Sequence, residues 1–303
     1  VSNQNLVRYF FMQFEQIVVP IAPELRMSFI HSDANEWNIL IKGDEVNALI
    51  DFGDMVYSPL INEIATAVTY IGYDKENIFE FTLPLIHAYH KIIPLQEREI
   101  SILYYLIASK LCISVCHSAH AKKQDPNNTY ASVSENNAWK MLYKLIEINP
   151  ISFESEILKE LGLPYEKPVP VIEKLKQRQK HVSKILSVSY DKPIAMDKSV
   201  FQYMYDVYGN AYLDAYNNIP HVGHSHPIVV EAGQKQMAQL NTNTRYLYDI
   251  LPEYIEKLLS KFSPHLNKVF FVNSGSEAND LAIRMAKIHS GNDKIMVMEH
   301  GYH

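Results

Sequence analysis

The 303-residue sequence is poor in cysteine, has no excess of positive charge and lacks an uninterrupted apolar run of membrane length. Two cysteines cannot build a disulfide framework for a chain of this size, which predicts a reducing, cytoplasmic location. The net charge of −6 disfavours a general nucleic-acid or anionic-membrane surface, because such surfaces are basic. The most apolar helical stretch, residues 101–121, carries Lys110 at its centre and many polar residues, so we expect no membrane span.

The length and the 47% share of hydrophobic residues predict a globular protein of about two domains. The clearest seam is residues 149–170, which contain four prolines and a glycine after a short helix. We therefore predict one domain over residues 1–162 and a second over residues 168–303. No signal peptide is evident. Because the chain starts at Val1 and stops at His303 inside an apparent active-site loop, we expect a piece of a longer protein.

The first predicted domain combines apolar helices with a small antiparallel unit. A glycine-containing turn at Gly43-Asp44 joins two short apolar runs, which is typical of a hairpin. Ser58 followed by Pro59 predicts the start of a helix, as a cap and its first residue. The predicted strands cover residues 27–30, 38–41 and 46–50, and the predicted helices cover residues 6–22, 58–71, 76–92, 97–121 and 134–148.

The second predicted domain ends in a strand–helix–strand pattern. An apolar run, a helix and a second apolar run follow one another within some thirty residues, which predicts a βαβ unit with parallel strands. The predicted strands cover residues 201–207, 211–215, 268–272 and 294–299, and the predicted helices cover residues 171–187, 227–240, 250–263 and 276–289.

Three polar residues around the hairpin match the needs of phosphoryl transfer. Asp33 follows the first strand, Asn38 opens the second and Asp51 closes the third. A carboxylate must orient and deprotonate the attacking hydroxyl, and oxygen ligands must hold Mg²⁺ on the nucleotide phosphates. Taken singly, each residue is more typical of a polar strand end; together with His31, the set predicts a kinase catalytic loop. Asp54 is equally consistent with a turn residue and a second carboxylate.

Residues 31–38 (HSDANEWN) and 50–54 (IDFGD) resemble the aminoglycoside/choline phosphotransferase family, most of all its hydroxylysine kinase branch. The resemblance covers about residues 1–148. It implies Asp33 as the catalytic residue, Asn38 and Asp51 as Mg²⁺ ligands, and ATP as the phosphoryl donor. Ser32 replaces the glycine usual in the family, and the resemblance places the nucleotide-binding lobe before Val1.

A second set of residues suits a phosphate-bearing cofactor. Residues 273–280 link an apolar run to a helix, and Gly275 and Ser276 stand where N–H groups and the helix dipole favour an anion. Tyr302 follows the next predicted strand and could stack on a flat cofactor ring. The turn alone is equally typical of an ordinary capped helix.

The wider segment resembles the class III pyridoxal-phosphate aminotransferases. The matching blocks are residues 212–214, 223–227 and 273–280, with residues 300–303 as the loop over the cofactor. Residues 217–218, 221–224 and 241–245 look most like the phospholyase branch, which acts on phosphoethanolamine or phosphohydroxylysine. The resemblance covers about residues 168–303 and implies pyridoxal 5'-phosphate held by Gly275, Ser276 and Tyr302. It places the Schiff-base lysine beyond His303.

Two clusters of metal-type residues have simpler explanations. Cys112, Cys116, His117 and His120 share one otherwise apolar helix, which predicts core cysteines rather than a zinc site. The histidines at 221, 224 and 226 lie in a loop with no carboxylate in register, and the resemblance makes this loop a wall of the cofactor pocket.

The combined prediction is a mixed α/β and α+β chain of two domains. A mostly helical, protein-kinase-like C-lobe with a small hairpin precedes the start of a fold-type-I pyridoxal-phosphate domain. We expect a fragment of a bifunctional enzyme that phosphorylates an amino alcohol or hydroxylated amino acid and then eliminates the phosphate. A transaminase fused to a kinase and an inactive binding or scaffold piece are the alternatives. The expected partners are a small-molecule amine and a second copy of the chain through the pyridoxal-phosphate domain.

Overall fold

The structure, a computed structural model, describes residues 2–125, 135–217 and 220–301. Its contacts divide the chain into two compact units, Val1–Ala238 and Gln239–His303. The structure contains both helices and strands, which confirms the predicted mixture of helix and strand. The domain limits at 162 and 168 stay a prediction.

Helices dominate the first unit. They begin with α1 (Asn3–Gln13), which continues into a π-helical turn (Phe14–Val18) where the sequence predicts one helix. The remaining helices are α2 (Ile61–Ile71), α3 (Ile78–Ile92), α4 (Glu97–Gln124), α5 (Glu135–Leu145), α6 (Pro150–Glu160), α7 (Val171–His181) and α8 (Pro227–Gln239).

The central element of the first unit is α4. Its start is fixed by a capping box in which Gln96 and Glu99 satisfy each other's backbone N–H groups. By length and composition alone, α4 could cross a bilayer, but 67% of its most apolar 18-residue window is buried inside the protein. Helices α1, α2, α5 and α6 pack against it. It therefore serves as the core helix on which the others assemble.

Two antiparallel strand pairs lie beside this helical body. Strand β1 (Met27–Ile30) pairs with β4 (Val56–Pro59), and β2 (Ile39–Lys42) pairs with β3 (Glu45–Leu49) across a turn in which Gly43 has φ +65°. The hairpin is thus confirmed. The predicted helix start at Ser58-Pro59 is wrong, because both residues are held in β4 by pairing with β1, and α2 begins only at Ile61.

A three-stranded antiparallel sheet follows in the order β5 (Met196–Val200), β6 (Tyr203–Asp206) and β7 (Ala211–Leu213). The sequence predicts β6 and β7 but not β5. In β5 the first three of five residues are exposed and only the last is buried, so its hydrophobic signal is weak.

The second unit contains the helices α9 (Ile250–Leu259) and α10 (Gly275–Ser290). Residues 268–272 and 294–299 form no strand in the part of this unit that the structure describes, so the predicted βαβ unit is present only in its helix. A parallel strand is stable only when its backbone N–H and C=O groups pair with neighbouring strands. Phe270, in the middle of the first of these two predicted strands, is 65% exposed.

Candidate active sites

The loop after β1 holds Asp33 in a dense network of donors. The Asn38 side-chain amide donates to Asp33 Oδ2 at 2.8 Å and to the Asp33 carbonyl at 2.9 Å. Asn35 donates to the same Oδ2 at 3.1 Å, and the Tyr70 hydroxyl donates to Oδ1 at 2.6 Å. Both carboxylate oxygens are therefore oriented by fixed partners, as a base that must meet a substrate hydroxyl requires.

Ser32 is held in a left-handed conformation, with φ +65°. Its N–H donates to Glu63 Oε2 at 2.9 Å, and its carbonyl accepts from Lys110 Nζ at 3.1 Å. Left-handed backbone is costly for a residue with a side chain, so these two contacts stabilise a geometry that glycine adopts more easily. Ser32, which replaces the glycine usual in the phosphotransferase family that this segment resembles, is thus a strained residue of the loop.

His31 ties this loop to the end of the hairpin. Its Nδ1 accepts from the Asp33 N–H at 3.3 Å, and its Nε2 donates to the Ile50 carbonyl at 2.9 Å. One ring nitrogen accepts and the other donates, which is the pattern of a neutral imidazole. His31 thereby places Asp33 beside the segment that carries Asp51.

Asn38 and Asp51 approach each other through the hairpin. The Ile50 N–H donates to the Asn38 carbonyl at 3.0 Å, so Asp51 is one residue from the backbone pairing. The Asn38 amide nitrogen faces two acceptors on Asp33, which leaves its oxygen as the end for a cation. Asp51, at φ +60°, is exposed and accepts from the Gly53 N–H at 3.4 Å. Oxygen donors of this kind suit Mg²⁺.

The described residues contain no cluster of three or more His, Cys, Asp or Glu side chains arranged for a metal. The two-residue set at Asn38 and Asp51 is compatible with that result, because Mg²⁺ on a nucleotide takes most of its ligands from phosphates and water. Asp54 ends a short 3₁₀ turn that begins at Phe52 and is exposed. The catalytic and metal-binding roles stay predictions.

Sequence reasoning missed three residues that hold this loop: Glu63, Tyr70 and Lys110. Glu63 and Tyr70 are seven residues apart, which is two turns of α2, so they lie on the same side of the helix. This seven-residue spacing on a predicted helix was the feature of the sequence that could have indicated two residues in contact with the catalytic loop. Burial, followed by the hydrogen bond to Asp33, raises the pKa of Tyr70 well above its ordinary value, so the phenol is a donor at neutral pH.

The second candidate site is the start of α10. The Ser274 hydroxyl accepts from the Glu277 N–H at 3.2 Å, and Glu277 Oε2 accepts from the Asn273 N–H at 2.6 Å. Gly275 and Ser276 are the first two residues of the helix, at the positive end of its dipole. These residues fit the phosphate of a cofactor in size and polarity. Tyr302 lies outside the described residues.

The predicted histidine loop surrounds a cavity of about 340 Å³ in the first unit. His224 Nε2 lies 2.6 Å from Asp214 Oδ2, so the expectation that no carboxylate is in register with these histidines is wrong. The side-chain amide of Asn5 lies 3.0 Å from His226 Nε2. The backbone N–H of Asn217, followed by the contact with His224, holds the pKa of Asp214 well below its usual range. His221 also lines the cavity, and the cofactor-pocket role of this loop stays a prediction.

The cysteine prediction is half confirmed. Cys112 is buried in α4, and that burial raises the pKa of its thiol far above the ordinary value, so the thiol is unreactive at neutral pH. Cys116, one helical turn later, is exposed, so its predicted burial is wrong. The apolar face of α4 does not extend around the helix to that position.

Comparison with family models identifies two regions in this chain. Residues 13–99 match the model of the phosphotransferase enzyme family, and residues 185–303 match that of class-III aminotransferases. The first region contains Asp33, Asn38 and Asp51, and the second contains Gly275 and Ser276. The predicted order of a phosphotransferase region followed by a class III region is confirmed.

Curated relatives resemble part of the chain. An "Alanine--glyoxylate aminotransferase 2-like" protein of Drosophila melanogaster is 40% identical over 146 residues, which are 48% of this chain and 30% of that protein. "Ethanolamine-phosphate phospho-lyase homolog 1" of Caenorhabditis elegans is 42% identical over 130 residues, 43% of this chain and 28% of that protein. The chain thus spans less than a third of the length of these relatives.

Among solved structures, a phospholyase from Arthrobacter in complex with phosphoethanolamine is 41% identical. It covers 43% of this chain, the match covers 31% of that protein, and the TM-score is 0.42.

Proposed function

From a chain in which a phosphotransferase-family region precedes a class III aminotransferase region, we propose a bifunctional enzyme that phosphorylates an amino alcohol and then eliminates the phosphate. The presence of both regions in one chain carries this proposal. The first step consumes ATP, and the second depends on pyridoxal 5'-phosphate.

In the first step, Asp33 accepts the proton of the substrate hydroxyl while that oxygen attacks the terminal phosphorus of ATP. The new O–P bond forms as the bond to ADP breaks. Asn38, through its amide oxygen, and Asp51 would hold Mg²⁺, which neutralises charge on the phosphates. Tyr70 and Asn35 keep the Asp33 carboxylate aimed at the hydroxyl.

In the second step, Gly275 and Ser276 would bind the phosphate of the cofactor at the start of α10, and Tyr302 would stack on its ring. When bound, pyridoxal 5'-phosphate supplies an electron sink for the carbon next to the amine. The proposed fold of this region is the fold-type-I architecture of class III enzymes. The phosphoamine plus water yields an aldehyde, ammonia and inorganic phosphate.

The chemistry explains why these regions would share one chain. Hydroxide is a poor leaving group, and phosphorylation converts the same oxygen into a good one. An elimination therefore needs the phosphorylation step that the kinase performs. A transamination does not react at the hydroxyl, so phosphorylation of that group would not assist it.

The names of the relatives point to two reactions. One relative is called an ethanolamine-phosphate phospho-lyase homolog, and another an alanine–glyoxylate aminotransferase 2-like protein. We favour the lyase because of the adjoining phosphotransferase region, and we keep transamination as the second candidate. A small-molecule amine substrate, a homodimer formed through the class III region and a cytoplasmic location belong to the same proposal.

The test uses the full-length protein with ATP, Mg²⁺ and an amino alcohol such as ethanolamine or hydroxylysine. We expect release of phosphate and ammonia without a keto acid. Omission of ATP should stop ammonia release, and addition of the phosphorylated amine should restore it. A requirement for pyruvate or glyoxylate would establish the transaminase instead. No turnover under either condition would support the inactive scaffold.

A pair of variants assigns the first step. Asp33→Asn should abolish phosphorylation of the amino alcohol but leave ammonia release from the phosphorylated amine unchanged. Asp44→Asn is the matched control, because it makes the same substitution at an exposed turn of the neighbouring hairpin. Equal activity of Asp33→Asn and Asp44→Asn would remove Asp33 from the proposed role.

A further inference from the structure

The sheet β5–β7 lies within the class III match, yet its buried residues belong to the same core cluster as the helices α1–α6. That helical body also includes the phosphotransferase match, residues 13–99. We propose that this sheet is a built-in docking element that joins the start of the class III region to the helical body α1–α6 as one folding unit. The two regions are then not linked by a flexible tether. This inference does not depend on the proposed function.

The first support is a shared apolar core. Phe201 and Tyr205, at 3% and 1% exposure, belong to the same buried cluster as residues of α1, α4 and α6. The rings of Tyr9, in α1, and Phe201 are 5.6 Å apart. Large aromatic side chains buried on both sides of a contact are typical of a permanent interface.

The second support is a set of buried polar contacts. Asn149, which is 2% exposed, donates through its side-chain amide to the carbonyls of Asp206 at 2.8 Å and Asn210 at 3.1 Å. Its oxygen accepts from the Ile151 N–H at 2.9 Å and so caps α6. The Tyr205 hydroxyl donates to the carbonyl of Ile146, at the end of α5. Buried groups of the sheet and of the helical body thus depend on each other for their hydrogen bonds.

The third support is the close approach of the β6–β7 turn to α6. Gly209 has φ +93°, and a Cβ placed there would lie 3.1 Å from the Ser152 Cβ. The backbone conformation therefore favours glycine, and a side chain at this position would also press against Ser152. Beside this turn, the Tyr208 hydroxyl accepts from the Val171 N–H at 2.8 Å and donates to the Val169 carbonyl at 3.2 Å. The proline-rich seam itself is thus tied to the sheet.

Amide hydrogen exchange of the full-length protein tests this proposal. Phe201→Ala changes a residue of the class III region only. If that region unfolded independently of the helical body, only amides of β5–β7 would lose their protection against exchange. We expect amides of α4 and α6 to exchange on the order of a hundredfold faster as well, because the two regions open together. Leu213→Ala, on the 67% exposed side chain of β7, is the matched control and should leave α4 and α6 unchanged.

Tyr205→Phe is the second variant, should Phe201→Ala fail to fold. It keeps the buried ring and removes only the hydroxyl that donates a hydrogen bond to the Ile146 carbonyl. We expect about tenfold faster exchange in α4 and α6. Faster exchange confined to β5–β7 in either folded variant would overturn the proposal.

Discussion

Removal of the Tyr70 hydroxyl is the sharpest test of how the catalytic loop is held. This phenol donates to Asp33 Oδ1 at 2.6 Å, a distance typical of a hydrogen bond to a charged oxygen. Such bonds contribute about 1.5–3 kcal/mol to stability. In Tyr70→Phe the Asp33 carboxylate keeps its two donors on Oδ2, from Asn35 and Asn38, and loses the only hydrogen bond that the described residues provide to Oδ1.

We therefore expect Tyr70→Phe to lower the free energy of unfolding by about 2 kcal/mol. Rotation of the less restrained carboxylate should lower kcat of the phosphorylation step by about tenfold, since 1.36 kcal/mol corresponds to a factor of ten. KM for ATP should stay unchanged, because Tyr70 contacts the base rather than the proposed metal ligands.

Urea denaturation measures the stability change, and phosphate transfer from ATP to an amino alcohol measures kcat and KM. Tyr73→Phe is the matched control, since Tyr73 lies beside Tyr70 with ring centroids 5.9 Å apart and makes no described hydrogen bond to Asp33. If Tyr70→Phe and Tyr73→Phe behave alike in both assays, the inferred positioning of Asp33 by Tyr70 is wrong.

Two further predictions concern stability. Burial raises the pKa of Tyr73 to about 12 and raises those of Tyr70, Tyr105 and Tyr205 further, whereas phenols in the unfolded chain titrate near 10. The stabilisation is therefore fully present below about pH 10 and is lost as pH rises above it, so the urea midpoint should fall as pH rises from about 10 to about 12; a constant midpoint would contradict this. Ser32→Gly should raise the free energy of unfolding by up to about 1 kcal/mol, because glycine relieves the left-handed strain but loses more backbone entropy on folding. Ser28→Gly, in a regular strand, should destabilise instead, and equal losses in the two variants would show that Ser32 is unstrained.

Elements with local signals were predictable from the sequence alone. The turn at Gly43 and the two apolar runs beside it predict β2 and β3 to within one residue of each end. Strand β1 is predicted with its observed limits. Such signals reside in the dihedral preferences and side-chain alternation of a few neighbouring residues, so no distant partner is needed to read them.

The candidate catalytic loop was also predictable from the sequence, because a short loop separates Asp33 from Asn38 and a hairpin of predictable length separates Asn38 from Asp51. The contacts that hold this loop in place could not be predicted from the sequence. Glu63, Tyr70 and Lys110 come from α2 and α4, and their contacts with Ser32 and Asp33 depend on how those helices pack around the core.

Strand pairing separates what local sequence preferences predict from what depends on distant parts of the chain. Ser58 and Pro59 satisfy every local rule for a helix start, yet pairing with Met27 and Ser28, about thirty residues earlier, holds them in β4. Residues 268–272 have a strand-like composition and remain unpaired in the described structure. The sequence alone determined which segments can form helices, turns and strands, because those preferences act within a few residues. The tertiary structure decided which strands form and which side chains meet at Asp33, because backbone pairing and packing depend on partners distant in the chain.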